Sequence, residues 1–266
     1  IDTSFSVIAT GDGLLYQWES TSDLGAGFAA IAGANGPVYD VIAPSGAIDS
    51  TWYRVLVSSS LCPEFAYSDT VQLVLKYDPN LTGQPLSQTI CENEGTGFGV
   101  DAGLTTSPDY QWQVSYNGGA DWFDLADTAV YNGTSTDSMR VISAVSRFNG
   151  YEYRAVVTGE CGTPIESDPA LLTINERPEI LEHPSDTAVC ETEPLSFSVN
   201  AGVTTGVTYQ WEVDMGSGFV ALSDTAGIYS GTASDELNVL NPVSRFNGYT
   251  YRVVVGGTCP VPVTSN

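Results

Sequence analysis

The sixteen residues SRFNGYEYRAVVTGEC at 146–161 return at 244–259 as SRFNGYTYRVVVGGTC, with four positions changed. A chain that writes one segment twice is built from copies of a unit, and such repetition constrains the fold before composition does. Three anchors carry the repeat towards the N-terminus. The triplet Tyr-Gln-Trp ends at Trp18, Trp112 and Trp211; a Tyr-Arg pair begins at Tyr53, Tyr153 and Tyr251; a cysteine follows at Cys62, Cys161 and Cys259. These cysteines are 99 and 98 residues apart, a domain-sized period of about 100 residues that is too long for a solenoid. The division read from this is 1–78 for a first repeat lacking its N-terminal strand, 79–178 for a complete second repeat, and 179–266 for a third lacking its last strand. Both ends read as cuts inside a repeat, so the chain is expected to be a window on a longer array.

Cys91 and Cys190 are also 99 apart, and each lies 21 residues before its repeat's Trp. The expected pairs are Cys91 with Cys161 and Cys190 with Cys259, leaving Cys62 to a residue upstream. Paired cysteines at this spacing point to an oxidising, extracytoplasmic setting. No cysteine or histidine spacing suggests zinc, and the single histidine, His183, sits in a linker. The chain holds 32 acidic residues against 8 Lys plus Arg, a net charge of −24. Such a polyanion repels nucleic acid and anionic lipid, and reads as a solubility device on a long exposed surface. No apolar run is long enough to insert in a membrane as a helix.

The second repeat carries the strand reading. Segments 97–103, 108–116, 120–126, 137–143, 150–158 and 166–174 are short, β-rich and alternating, and Gly, Asn, Asp and Pro separate them. Six or seven strands in about 100 residues without helical periodicity define an all-β sandwich. The run Met139 to Ala155 resembles the E strand, E–F corner and F strand of immunoglobulin-like domains. That resemblance makes Tyr153, with Tyr53 and Tyr251, the corner tyrosine whose hydroxyl returns to backbone, and makes Trp18, Trp112 and Trp211 the core tryptophans of strand C. It also exposes a departure. Val55, Ala155 and Val253 stand where antibody domains place the F-strand cysteine, so the disulfide is expected to staple the A–B segment to the F–G turn at one end of each sandwich. Trp122 aligns with Phe28 and Phe219 as a packing aromatic, Trp52 is the candidate exposed contact site, and Arg147 and Arg245 are expected to pair with carboxylates.

Tyr-Gln-Trp, a Gly-rich turn with Trp or Phe, Tyr-x-Gly, Asn-Gly-Tyr-x-Tyr-Arg and a late cysteine together resemble the immunoglobulin-like repeats of very large Bacteroidota surface proteins, which are exported by the type IX system and include gliding and attachment adhesins. The resemblance implies an extracellular, cell-surface location. It also implies O-glycosylation at Asp followed by Ser or Thr and then by an apolar residue or Thr, making Ser50, Thr70, Thr128, Ser138, Thr187 and Thr225 candidate hydroxyls. One histidine, no Gly-x-Ser-x-Gly and no phosphate loop leave no catalytic residues, so no enzyme is expected. The leading expectation is a structural stalk holding a distal adhesive tip. Its partners are further repeats of the same chain, surface glycans or other surface proteins. The alternatives are a carbohydrate- or protein-binding module, with Ca²⁺ at acidic loops, and an accessory domain of a secreted enzyme. A Ca²⁺ array would repeat a dense motif such as Asp-x-Asp-x-Asp, which does not occur, so neither metal nor cofactor is expected.

Overall fold

The structure is a computed structural model that describes residues 3–41 and 50–266. The chain forms two compact units, Ile1–Tyr77 and Asp78–Asn266. Short, mostly antiparallel strands build both, and the only helical turns among the described residues are Ser146–Phe148 and Ser244–Phe246. The architecture is all-β: tandem immunoglobulin-like sandwiches.

In the first unit, Ala29–Ala30, Leu14–Thr21, Thr51–Ser59 and Phe65–Tyr67 form one sheet, with Val71–Leu73 also paired to Thr51–Ser59, and Thr3–Ser6 pairs with Val38–Val41. Trp18, Ala34 and Val55 are its buried centre. The second unit has two cores. One gathers Phe98, Trp112, Met139, Val141, Phe148, Tyr153 and Leu172; the other gathers Trp211, Val213, Leu237, Val253 and Val255. Around the first of these, one sheet runs Phe123–Asp124, Asp109–Ser115, Glu152–Thr158, Ala170–Asn175, Gln88–Cys91, and the facing sheet runs Tyr131–Asn132, Ser138–Val141, Thr96–Gly99. The last pairing of the larger sheet is parallel, with Cys91 opposite Asn175.

The segment read as one strand over 166–174 is two, Ile165–Glu166 and Ala170–Asn175. Pro169 has no N–H to give a ladder, and Ser167 breaks the pairing by taking the Ala155 N–H on its own hydroxyl at 2.9 Å. Gln88–Cys91 escapes a pattern search because it is four residues long and lies at a sheet edge. Each core Trp faces a small aliphatic across the sheet: Trp18 opposite Val55, Trp112 opposite Ala155, Trp211 opposite Val253. These are the positions without the antibody cysteine, and all three aliphatics are completely buried.

The repeated motifs are bonds that hold strands together. In each Tyr-Gln-Trp, the Gln amide donates to two carbonyls: Gln17 to Trp18 and Ile31, Gln111 to Trp112 and Leu125, Gln210 to Trp211 and Leu222, all at 2.8–2.9 Å. The Trp indole N–H reaches a carbonyl of Gly36, Thr136 or Ser234. In each Tyr-Arg, the guanidinium lies over the ring of the aligned aromatic: Arg54 over Phe28, Arg154 over Trp122, Arg252 over Phe219, at 3.9–4.3 Å. The same three arginines bond Glu19, Glu166 and Glu212. In Ser-Arg-Phe-Asn-Gly, Phe148 stacks on Tyr131 and Tyr151, Asn149 accepts the Ile174 N–H, and Gly150 takes a φ of 86°, which an L side chain rarely adopts.

Three expectations change. The Tyr153 hydroxyl meets the Tyr131 hydroxyl at 3.4 Å, and Tyr251 meets Tyr229 at 3.2 Å, instead of bonding backbone at the corner. The Tyr-x-Gly tyrosine from the opposite sheet reaches the ring first. Burial and this hydroxyl partner push the titration of Tyr153 and Tyr251 well above the ordinary phenol range. Arg147 and Arg245 place their guanidinia over Phe148 and Phe246. Trp52 is half-buried: its strand is paired on both sides, opposite Thr21 and Gln72, and the neighbours shield it. The exposed aromatics are Phe65, Tyr67, Tyr116 and Phe123.

Candidate functional site

The second unit is joined internally by a covalent bond. Cys91 is bonded to Cys259, with Cα atoms 5.9 Å apart and a sequence separation of 168. Cys91 ends its strand beside Asn175, at the end of the second sandwich where the chain leaves for the third. Cys259 lies in the turn between Thr250–Gly256 and Val263–Thr264, and its Sγ sits 3.5 Å from the Asn175 carbonyl. The bond therefore crosses from one repeat to the next.

This corrects the expected pairs Cys91–Cys161 and Cys190–Cys259. In the second repeat, Cys161 follows Glu152–Thr158 at the sandwich end where Val157 faces Ile165, whereas Cys91 faces Asn175. Ten residues of extended chain separate those levels, on the order of 30 Å. A disulfide needs Cα atoms within roughly 4.4–6.8 Å. The end-stapled sandwich fails because the A–B segment and the F–G turn occupy opposite ends. Cys161 is half-buried, while Cys62 and Cys190 are exposed thiols. Cys190 stands in the third repeat where Cys91 stands in the second.

The linker between these repeats is held on both sides. Arg177 donates through Nε to the Glu92 carbonyl at 2.7 Å and pairs with Glu94 at 3.0 Å. Glu176 gives its N–H to the Thr205 hydroxyl at 2.8 Å and accepts the Thr205 N–H at 3.3 Å. Thr205 in turn accepts the Thr258 N–H, next to Cys259. Pro178 fixes its own φ within this clamp. Glu176 titrates above the ordinary carboxylate range because of burial, and next because of the charges on Glu92 and Glu179.

Trp18, Trp112, Trp211, Tyr53 and Tyr153 are buried, and Tyr251 is half-buried. Thr70, Thr128, Ser138, Thr187 and Thr225 are exposed, and Ser50 is half-buried; Asp49 beside it lies outside the described residues. Two Asp-Thr dipeptides have a structural task as well. Asp127 accepts the backbone N–H and hydroxyl of Thr134, and Asp224 those of Thr232, at 2.7–2.9 Å. These bonds hold both carboxyls below their usual range. Gly133, in the Tyr-x-Gly turn beside this clasp, has a φ of 77°, and a Cβ there would collide with the Ser138 carbonyl. Among the described residues no group of three or more His, Cys, Asp or Glu is placed to hold a metal ion, and no helix is long and apolar enough to cross a membrane.

The fold thus defines a chain of tandem immunoglobulin-like domains. The I-band fragment I67–I69 from titin superposes with a TM-score of 0.58 at 12% identity, over all of this chain and 90% of that one. A variant of the same three titin domains with Glu-to-Ala mutations gives the same TM-score and identity over 99% of this chain. At such identity the likeness concerns fold alone. A family described as "Domain of unknown function (DUF8696)" matches residues 2–76. Endoglucanase C of Cellulomonas fimi is 28% identical over 141 residues, which is 53% of this chain and 12% of that protein. The chain spans about an eighth of the length of that curated relative.

Proposed function

We propose that this chain is a non-catalytic stalk segment of an exported surface adhesin or surface filament, composed of repeats 1–78, 79–178 and 179–266. The observation that carries the reading is the Cys91–Cys259 bond across a repeat junction. A bond within a domain stabilises that domain, but a bond between domains removes the freedom of one to swing against the other. Together with the Arg177 and Thr205 clamps it makes a junction suited to transmit length and tension. Disulfides persist in oxidising surroundings, which supports an extracytoplasmic site. The resemblance to Bacteroidota surface repeats supports the adhesin assignment and the exposed Asp-Ser and Asp-Thr hydroxyls as sugar acceptors. Peptide mass spectrometry of native protein tests both parts: a cross-linked Cys91–Cys259 peptide and sugar masses on Thr70, Thr128, Ser138, Thr187 or Thr225 are expected.

The match to part of Endoglucanase C favours a second reading, an accessory module of a secreted polysaccharide-degrading enzyme. Depletion assays on insoluble cellulose and titration with soluble β-glucans separate the two. A stalk leaves the protein in solution, and saturable binding would replace the stalk with the accessory module.

A further inference from the structure

Between the segment 124–131 and the corner 147–151, the second repeat carries a cup of about 470 Å³, lined by that repeat's residues alone. Its wall is a run of rings. Tyr116 meets Tyr151 edge-on with centroids 4.7 Å apart, Tyr151 stacks on Phe148 at 5.3 Å, and Phe148 stacks on Tyr131 at 6.3 Å. Phe123 stacks on Tyr116 at 5.5 Å and braces that ring from outside the lining. Tyr116 and Phe123 each keep 52% of their surface exposed, so solvent reaches the rim of the cup.

The internal repeat separates what the fold requires from what is additional. Tyr131, Arg147, Phe148 and Tyr151 recur as Tyr229, Arg245, Phe246 and Tyr249. Val114 faces Phe123 across the sheet as Val213 faces Val220, and Gln113 faces Asp124 as Glu212 faces Ala221. Tyr116, two residues after Val114, therefore corresponds to Met215. The third repeat builds the same strand pair around an equally buried Trp211 with Met215, Val220 and Ala221 at these places. Folding thus does not demand the two aromatic rings and the carboxylate that the second repeat adds here.

The polar groups select a neutral, hydroxylated guest. Asp124 accepts the Gln113 amide on Oδ1 at 2.8 Å, and no protein donor meets its Oδ2. Arg147 lies over the Phe148 ring at 5.2 Å and pairs with no carboxylate among the described residues. A cup for a cation would not present this guanidinium, and a cup for an anion would not present this carboxylate. Together they cancel in charge and offer one acceptor and one set of donors beside apolar faces.

We propose that this cup binds one ring of a neutral hexose. The pyranose lays its C–H face against Tyr116 and Tyr151, whose ring faces carry partial negative charge, while its hydroxyls donate to Asp124 and accept from Arg147. One ring of this size is expected to bind with a Kd of roughly 1 mM. The site rests on neither reading above, since so weak a site for one ring does not retain a protein on cellulose.

The test titrates the full oxidised chain with the methyl glycosides of glucose, galactose and mannose, followed by saturation-transfer NMR. Saturable binding of at least one glycoside is expected. Tyr116→Met with Phe123→Val, and separately Asp124→Ala, install the third repeat's own residues, so calorimetry should show the fold retained. Each variant should weaken binding at least about tenfold, through loss of the stacking face or of a hydrogen bond to a charged group. Absence of saturable binding by all three glycosides overturns the proposal. Binding that survives unchanged in the Tyr116→Met, Phe123→Val chain places the sugar elsewhere and overturns it too.

Discussion

Pulling the oxidised chain by its two ends reads the junction bond directly. Tension entering the second repeat crosses from Cys91 to Cys259 and bypasses both cores of the second unit, because the bond encloses a sequence separation of 168. Extended chain spans at most about 3.3–3.6 Å per residue, so the enclosed segment hides roughly 550–600 Å of contour length. Before reduction, only the first unit, residues 1–77, and the short stretches flanking the bond can lengthen; the first unit contributes about 250–280 Å. Adding a thiol reductant under load should then release the hidden length through one bond cleavage. Pairing within repeats would enclose 161 − 91 = 70 and 259 − 190 = 69 residues, and would yield two separate releases of about 230–250 Å each. Optical-tweezers traces resolve these patterns easily. Two small reductive releases, or full extension before any reductant, would refute the junction bond. A chain with Cys91→Ser and Cys259→Ser should extend fully without reductant. In bulk, the loop-closure entropy of a ring this size corresponds to about 5 kcal/mol of stability, so the same variant should unfold at markedly lower denaturant concentration.

Gln111→Ala removes two bonds to backbone carbonyls beside a buried Trp; it should cost the second repeat about 1–3 kcal/mol, read as a calorimetric shift of roughly 5–15 °C. Asp127 and Asp224 have folded pKa values depressed below the ordinary 3.8, so their stabilisation is present above that pH and is lost as pH falls through the lower folded values. Asp127→Asn with Asp224→Asn should therefore flatten the fluorescence-monitored acid unfolding curve below pH 3.8, and superposable curves would dismiss the clasp. Arg177→Ala should speed hydrogen exchange across 92–94 and 175–177 while changing global stability by no more than about 1 kcal/mol, since the pair is partly exposed.

The motif residues were legible because each repeats at a fixed place and meets a local need. Trp112 must be enclosed, Asn149-Gly150 must turn the chain, and alternation over 108–116 can bury only one face. The roles of Gln111 and Arg154 were not legible, since Leu125, Trp122 and Glu166 lie outside the strands of the residues they bind, and a repeated spacing says nothing about which carbonyl an amide reaches. Trp52 misleads for a related reason: alternation marks it as outward, but the pairing of its strand on both sides decides how far outward it stays.

The cysteines divide the two kinds of information most cleanly. A period of 99 established that Cys91 and Cys190 are equivalent, and that Cys62, Cys161 and Cys259 form a second set. A periodic sequence is unchanged by a shift of one repeat, so spacing alone cannot distinguish a partner 70 residues away from one 168 away. Amino-acid order determined the repeat, the strands and the aliphatic core. Only the tertiary structure, by placing the A–B segment and the F–G turn at opposite ends of the second sandwich, decided that the bond joins neighbouring domains.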